Sequence, residues 1–301
     1  MERTLKDQLV YQWNYGGVTV RLIAVNAIVY LVIQLITILA RLLSPESTSD
    51  VHEWLHLLFA LPTDLSSFIR SPWTLFTSIF SHFSFLHFLM NMLFLYFTGK
   101  LFETFFDRKR LVATYLIGGI VGEIVELLAH QLFPALQTET SVIVGASGSV
   151  MALFVAVAIY RPNLQVNLFG LFPIRLIFLA LLFVMIDFLS LGNKDATAHF
   201  AHLGGALIGF FSVKNPAKSS NIITWFIARY DQIRKRRNTS FTVKKGGKSR
   251  SASFKSDEEY NIEKKQNQAK TDAILDKIAK SGYESLTKAE KEFLFKQSNN
   301  G

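Results

Sequence analysis

A serine flanked by small residues, two histidines one turn apart in a later apolar stretch, and a histidine–asparagine pair in an earlier one are the residues whose types could do chemistry. They stand as Gly145-Ala146-Ser147-Gly148, as His199 and His202, and as His87 and Asn91. A serine hydroxyl is a weak nucleophile until a positioned base takes its proton, and neutral imidazole suits that at ordinary pH. Ser147 as nucleophile and His202 as base would support acyl transfer. The oxyanion of such a reaction needs preorganised donors, which the Asn91 amide, His87 as a donor tautomer and the Ser147 backbone N–H at a helix start could supply. No carboxylate is evidently spaced to orient His202, so the expectation is a dyad.

Two other chemistries compete. His52-Glu53-Trp54-Leu55-His56 is a complete HExxH, which on a helix places two zinc ligands on one face beside a glutamate base. No third ligand is evident near it, and Trp and Leu among charged groups suit a helix lying in a membrane interface. Glu123, Glu126 and Asp187 are ionisable groups inside apolar stretches, as a transporter or channel would carry, but no internal repeat or broken-helix pair accompanies them. They either bond neighbouring helices or lie near an inner boundary. Cysteine is absent, which excludes disulfides, thiolate metal sites and a cysteine nucleophile.

The elements that would position these groups are membrane helices. Half of the residues are hydrophobic, and Phe, at 27, outnumbers Tyr and Trp together, a membrane-protein composition. Apolar runs at 18–43, 76–99, 111–134, 142–160, 171–191 and 196–213 predict six spans, helical because backbone groups in lipid must pair within their own segment. The expected fold is an all-α membrane protein: a six-transmembrane-helix bundle over 1–213, then a basic cytoplasmic tail over 214–301. The tail is expected to be partly disordered, with short helices near 269–281 and 287–297, where Thr287 and Glu290 form a capping-box pattern. Arg3, Lys6, Lys100, Arg108-Lys109-Arg110, Arg161, Arg175 and the tail put basic charge on one side, so both termini are expected to be cytoplasmic. The polar opening segment is unlike a transit leader, which favours a bacterial plasma (inner) membrane.

Counted from the outer side, His202, Ser147, His87 and Asn91 fall in one layer. Gly145 and Gly148 bracket the serine, while Gly205 and Gly209 form a GxxxG pattern one turn below His202. Spans four and six can therefore approach backbone to backbone.

Taken together, Gly145-Ala146-Ser147-Gly148, Ala201-His202-Leu203-Gly204-Gly205 with Gly209, and His82 with His87 and Asn91 resemble the signature of the rhomboid intramembrane serine proteases. Order and spacing agree from about residue 15 to 213. The resemblance implies Ser147 as nucleophile, His202 as general base, Asn91 and His87 as oxyanion contributors, and His199 as a structural partner. It implies membrane-anchored protein substrates cut near the outer face, within a lipid bilayer. No cofactor, metal ion or nucleic acid is expected. The fifth run is then the candidate gate and the loop 192–197 the candidate cap. The chain departs from the pattern at Met151, where family members often carry an aromatic residue, and at Trp73-Thr74, where some carry Trp-Arg. Segments 274–278 and 285–294 resemble the ends of some bacterial members. A catalytically silent relative that binds membrane clients is the alternative.

Overall fold

The computed structural model describes residues 4, 11, 13, 14, 16–136, 142–168, 172–191, 198–216, 218–238 and 270–298. The chain divides into two compact units, 1–240 and 241–301. The candidate cap loop at 192–197 and the tail stretch 239–269, where disorder is expected, lie outside the described residues.

Among the described residues of the first unit, three helices are long and apolar enough to cross a membrane: Gly17–Leu43, Phe85–Glu103 and Arg108–Leu132. We call the last two the asparagine helix and the glycine helix. Three shorter apolar helices follow: the serine helix Ser147–Tyr160, the aspartate helix Leu176–Leu189 and the histidine helix His199–Val213.

The asparagine, serine, aspartate and histidine helices are shorter than the apolar runs that announce them, and two of these differences have a local cause. The run at 76–99 becomes a helical turn at Thr74–Thr77, a tighter turn at Ser78–Phe80 and a loop before the asparagine helix starts at Phe85. Here the hydroxyls of Thr74, Ser78 and Ser81 bond to backbone carbonyls and compete with regular helix geometry. His82 therefore lies ahead of its helix. The run at 171–191 opens instead as the strand Phe172–Arg175, paired antiparallel with Gln165–Leu168, and its helix starts only at Leu176. Pro173 has no amide hydrogen to give a helix, and a hairpin strand end tolerates it.

The three innermost helices, glycine, serine and histidine, meet at small residues. A Cβ placed on Gly205 would stand 2.1 Å from the Gly148 carbonyl oxygen, and one on Gly209 would stand 2.4 Å from that of Ala152. A Cβ on Gly118 would meet the Ala152 Cβ at 2.3 Å, and one on Gly122 the Ala201 oxygen at 2.5 Å. In lipid, where apolar burial gives little drive for association, such backbone approach is what holds helices together. The expected approach at Gly205 and Gly209 is thus present between the serine and histidine helices, and the glycine helix joins it as a third member.

Polar ties lock the ends. At one end of Gly17–Leu43, the amides of Val18 and Thr19 donate to Glu103 Oε1 at 2.6 and 3.0 Å, so a carboxylate from another helix caps the first turn. Asn26 donates to the Tyr115 hydroxyl at 3.1 Å, which donates on to the Ile79 carbonyl at 3.2 Å, bolting that helix to the glycine helix and the 78–80 turn. Below the histidine helix, Arg110 donates to the carbonyls of Ser212 and Pro216, each at 2.7 Å, and to Thr224 Oγ1 at 2.6 Å. The helix Ile222–Asn238 is seated in this way, with Ile223 fully buried under it.

The segment between the first two long helices is ordered by the same accounting. Helix Thr48–Phe59 leaves its last carbonyls free, and Trp73 Nε1, Thr77 Oγ1 and Ser81 Oγ donate to those of Leu57, Leu58 and Phe59. Trp54 and Leu57 stay exposed on its other face. Asp64 caps Leu65–Arg70, and the Ser66 hydroxyl and Ser67 amide hold its carboxyl down to about 2. Leu61–Pro62 then pairs antiparallel with Val142–Ile143, tying this segment to the approach to Ser147.

In the second unit, a helix covers 270–281 and another Lys288–Ser298. Glu290 accepts from the Thr287 amide at 2.7 Å while Thr287 Oγ1 accepts from the Glu290 amide at 3.4 Å, so the capping box is formed reciprocally.

Replacing Gly205 by valine should lower resistance to unfolding in micelles by at least about 1–3 kcal/mol, because the added atoms meet main chain rather than a yielding side chain. A denaturant titration equal to wild type would show that the serine and histidine helices can separate without cost.

Candidate active site

Ser147 is the first residue of its helix, and Ile143, Gly145 and Ala146 before it are each held in place. After the Val142–Ile143 strand, the Gly145 amide donates to the Ser78 carbonyl at 3.0 Å and the Ala146 amide to His82 Nε2 at 3.4 Å. Gly145 has φ +116°, a conformation open to glycine, and a Cβ there would stand 2.7 Å from His87 Cε1 and 2.8 Å from its Nε2. Glycine at this position both makes the turn and admits the His87 ring. His82 is wholly buried, edge-to-face with His87 at 5.1 Å and with Phe88 at 5.6 Å. It supports the loop and the His87 ring and takes no place in the cavity lining.

Ser147, Asn91, His199 and His202 line one cavity of ≈ 590 Å³, together with Met151 and Asp187. Phe94 and Phe97 of the asparagine helix wall it on one side and Phe183 and Ile186 of the aspartate helix on the other. Asn91 donates to the His87 carbonyl one turn back at 3.0 Å, which fixes its amide plane. His87 lies one turn away on the same helix, its ring against the glycine before Ser147 rather than in the lining. Met151 is buried and fills the wall below His202, where its flexible thioether adapts to the space. Thr74 is wholly buried and bonded to the Ser71 carbonyl, so it faces protein and not lipid.

His202 is the fourth residue of its helix. Its Nδ1 lies 2.8 Å from Asp187 Oδ1, and His199 Nδ1 lies 2.8 Å from the same oxygen. A carboxylate only accepts, so both rings present N–H at Nδ1, and a neutral His202 then carries its lone pair at Nε2. The expectation that no carboxylate orients His202 is therefore corrected. Asp187 stands fifteen positions earlier on a separate helix, a relation no spacing rule detects. The only sequence signal was the charge itself within an apolar run.

Glu123 and Glu126 take the first of the two roles open to them, bonding neighbouring helices. Ser78 Oγ pairs with Glu123 Oε1 at 2.5 Å, and the Ala201 amide donates to Glu126 Oε2 at 2.9 Å. Glu126 thus satisfies a first-turn amide of the histidine helix, one residue before His202, across a helix interface.

The HExxH helix forms a different environment. The His52 and His56 rings are edge-to-face at 4.5 Å, and both lie against Phe83. Burial, then the neighbouring His52, pushes the His56 imidazole to lower pKa. Glu53 and His56 border a separate cavity of ≈ 330 Å³ with Asp64. Among the described residues, the three groups close enough to share a metal ion are Asp187, His199 and His202, whose ligand atoms lie within 4.8 Å of one another. Their close atoms are already engaged in the two hydrogen bonds to Asp187.

Residues 70–214, which hold every side chain lining the Ser147 cavity, match the Rhomboid domain family. That region belongs to the rhomboid family. Among curated rhomboid proteins the chain is 30% identical over 172 residues to RHOMBOID-like protein 1 of Arabidopsis thaliana, covering 56% of this chain and 39% of that one. It is 31% identical over 144 residues to Presenilin-associated rhomboid-like protein A, mitochondrial, of Danio rerio, covering 45% and 35%. To Rhomboid-like protease 3 of Toxoplasma gondii it is 28% identical over 137 residues, covering 46% and 49%. The chain spans less than half the length of these relatives. Relatives named mitochondrial stand among them, so they lend no support to a bacterial plasma membrane as host. Outside the rhomboid region, residues 255–300 match a family of unknown function, DUF6576.

Glu126→Ala should leave the Ala201 amide without its acceptor and lower stability by about 1–3 kcal/mol, whereas Glu126→Gln keeps an acceptor oxygen and should lose less. Unfolding titrations of the two variants check this, and equal losses would show that the charge and not the capping bond matters.

Proposed function

We propose that this rhomboid is an intramembrane serine endopeptidase that cleaves membrane-anchored proteins in or near their transmembrane segment. The observation that carries the reading is the convergence of Ser147, Asn91 and His202 on one cavity, with His202 held at Nδ1 so that Nε2 is its basic nitrogen. In this reading Ser147 attacks the scissile carbonyl and His202 takes its proton. The Asn91 amide, His87 and the Ser147 backbone N–H stabilise the oxyanion, and His202 returns the proton to the leaving amine.

The bundle supports a buried reaction centre. We read it as six spans with both termini on the basic, inner side and a basic cytoplasmic tail. The serine helix has 14 residues, about 21 Å at about 1.5 Å per residue, against a hydrocarbon core of about 30 Å. A helix that short starts part-way down, with the loop through Gly145 descending to meet it, so Ser147 sits below the outer surface. Gly148, Gly205 and Gly209 serve this by letting backbones approach, and Gly145 by admitting the His87 ring.

A substrate helix would enter between the asparagine and aspartate helices, whose phenylalanines wall the cavity, and present unwound backbone to Ser147. Water for deacylation would come from the outer side past His199 and Asn91.

The test is cleavage of a single-span model substrate in liposomes. Ser147→Ala and His202→Ala should abolish turnover, and Asn91→Ala should cut kcat by about 100-fold, the usual cost of one oxyanion donor. Glu53→Gln and a zinc chelator should change nothing. Chelator sensitivity with loss in Glu53→Gln would transfer the chemistry to the HExxH helix. Binding of substrates without cleavage by wild type would make the chain a silent relative that holds membrane clients.

A further inference from the structure

The aspartate helix is the least enclosed helix of the site. Leu176, Leu179 and Ala180 anchor its first half, but in its second half Met185, Ile186, Phe188 and Leu189 are 48–72% exposed. Asp187 is the exception at 6%. A charged side chain that turns inward where its neighbours turn out needs compensation, since an unpaired buried carboxylate is strongly destabilising. Asp187 finds it in two imidazoles at once, through the single oxygen Oδ1.

That arrangement does more than satisfy a charge. An acceptor at Nδ1 determines which nitrogen of His202 is left to take a proton, and it opposes the positive charge that forms on the ring when Ser147 attacks. His199, edge-to-face with His202 at 6.3 Å, donates to the same oxygen and so restrains where the carboxylate points.

We propose that Asp187 is a positioning residue for the base His202, that His199 is the second donor that fixes Asp187, and that the site works as a carboxylate-oriented triad rather than a dyad. This rests on the reading of Ser147 and His202 as nucleophile and base. Asp187 touches no reacting atom in it. Its effect on rate passes through the orientation of the imidazole.

The test compares wild type, Asp187→Asn, His199→Ala and His199→Gln in liposomes, with Ser147→Ala as the blank. Turnover of the model substrate is resolved into kcat and KM, the rate of Ser147 labelling by a small fluorophosphonate is measured beside it, and a melting curve reports folding. Asparagine keeps the shape of aspartate and an acceptor oxygen but removes the charge that opposes the imidazolium formed on His202. It should lower kcat by at least about 10-fold and slow labelling in parallel, with KM within about 2-fold of wild type, the pattern of an interaction that matters in the transition state. His199→Ala should lose less, and His199→Gln, which can still donate to Asp187, should recover part of that loss.

A folded Asp187→Asn enzyme with wild-type kcat and labelling rate, whatever its melting point, overturns the proposal and leaves Asp187 as a tie between helices. If Asp187→Asn does not fold, the His199 pair decides: wild-type kcat in His199→Ala overturns it, and loss in His199→Ala with partial recovery in His199→Gln supports it. A wild type that neither cleaves nor labels overturns the parent reading itself, an outcome distinct from all of these.

Discussion

Ala201 is clamped between two glycines. Its carbonyl oxygen lies where neither Gly122 nor Gly148 could carry a side chain freely, and its amide is taken by Glu126 from across the interface. Gly148 follows Ser147 and Ala201 precedes His202, so this one crossing brings those two side chains to the same cavity. Larger residues at the crossing would part the helices by more than a hydrogen bond tolerates. The rest of the bundle can be understood as protecting this contact.

That protection is largely polar, in a setting where polar groups are costly. Carboxylates cap helix starts that belong to other helices, Glu103 for the first helix and Glu126 for the histidine helix. An arginine closes the far end of the histidine helix and seats the helix Ile222–Asn238 beneath it. In lipid an unsatisfied backbone group has no water to turn to. These charged side chains therefore act as structural fittings, and their presence in apolar segments is no sign of a transport path. Asp187 belongs to the same economy but differs in one respect: its partners open onto the cavity.

The cavity itself is asymmetric. Its inner wall is made of the serine and histidine helices and its outer wall of phenylalanines on the asparagine and aspartate helices. Phe94 contacts both Phe154 and Phe183 at ring separations of 5.0 and 5.4 Å, so the wall closes by side-chain stacking and not by backbone contact. A wall of that kind can open without disturbing the glycine crossing.

Much of this was legible from residue types. Membrane composition, the small residues around Ser147, the GxxxG below His202 and the pairing of His87 with Asn91 are local patterns, and local patterns survive in a linear chain because helix periodicity preserves them. The ends of the elements were less legible. Apolar content alone runs through the Ser78–Ser84 turns and the hairpin at Phe172–Arg175, since hydrophobicity does not reveal where a hydroxyl or a proline diverts the backbone. What tertiary structure alone decided are the partners of buried charges. Glu126 and Asp187 each appeared only as an ionisable group in an apolar run. A carboxylate accepts from whichever donor folding brings near, so its role is a property of the contact and leaves no mark in the sequence.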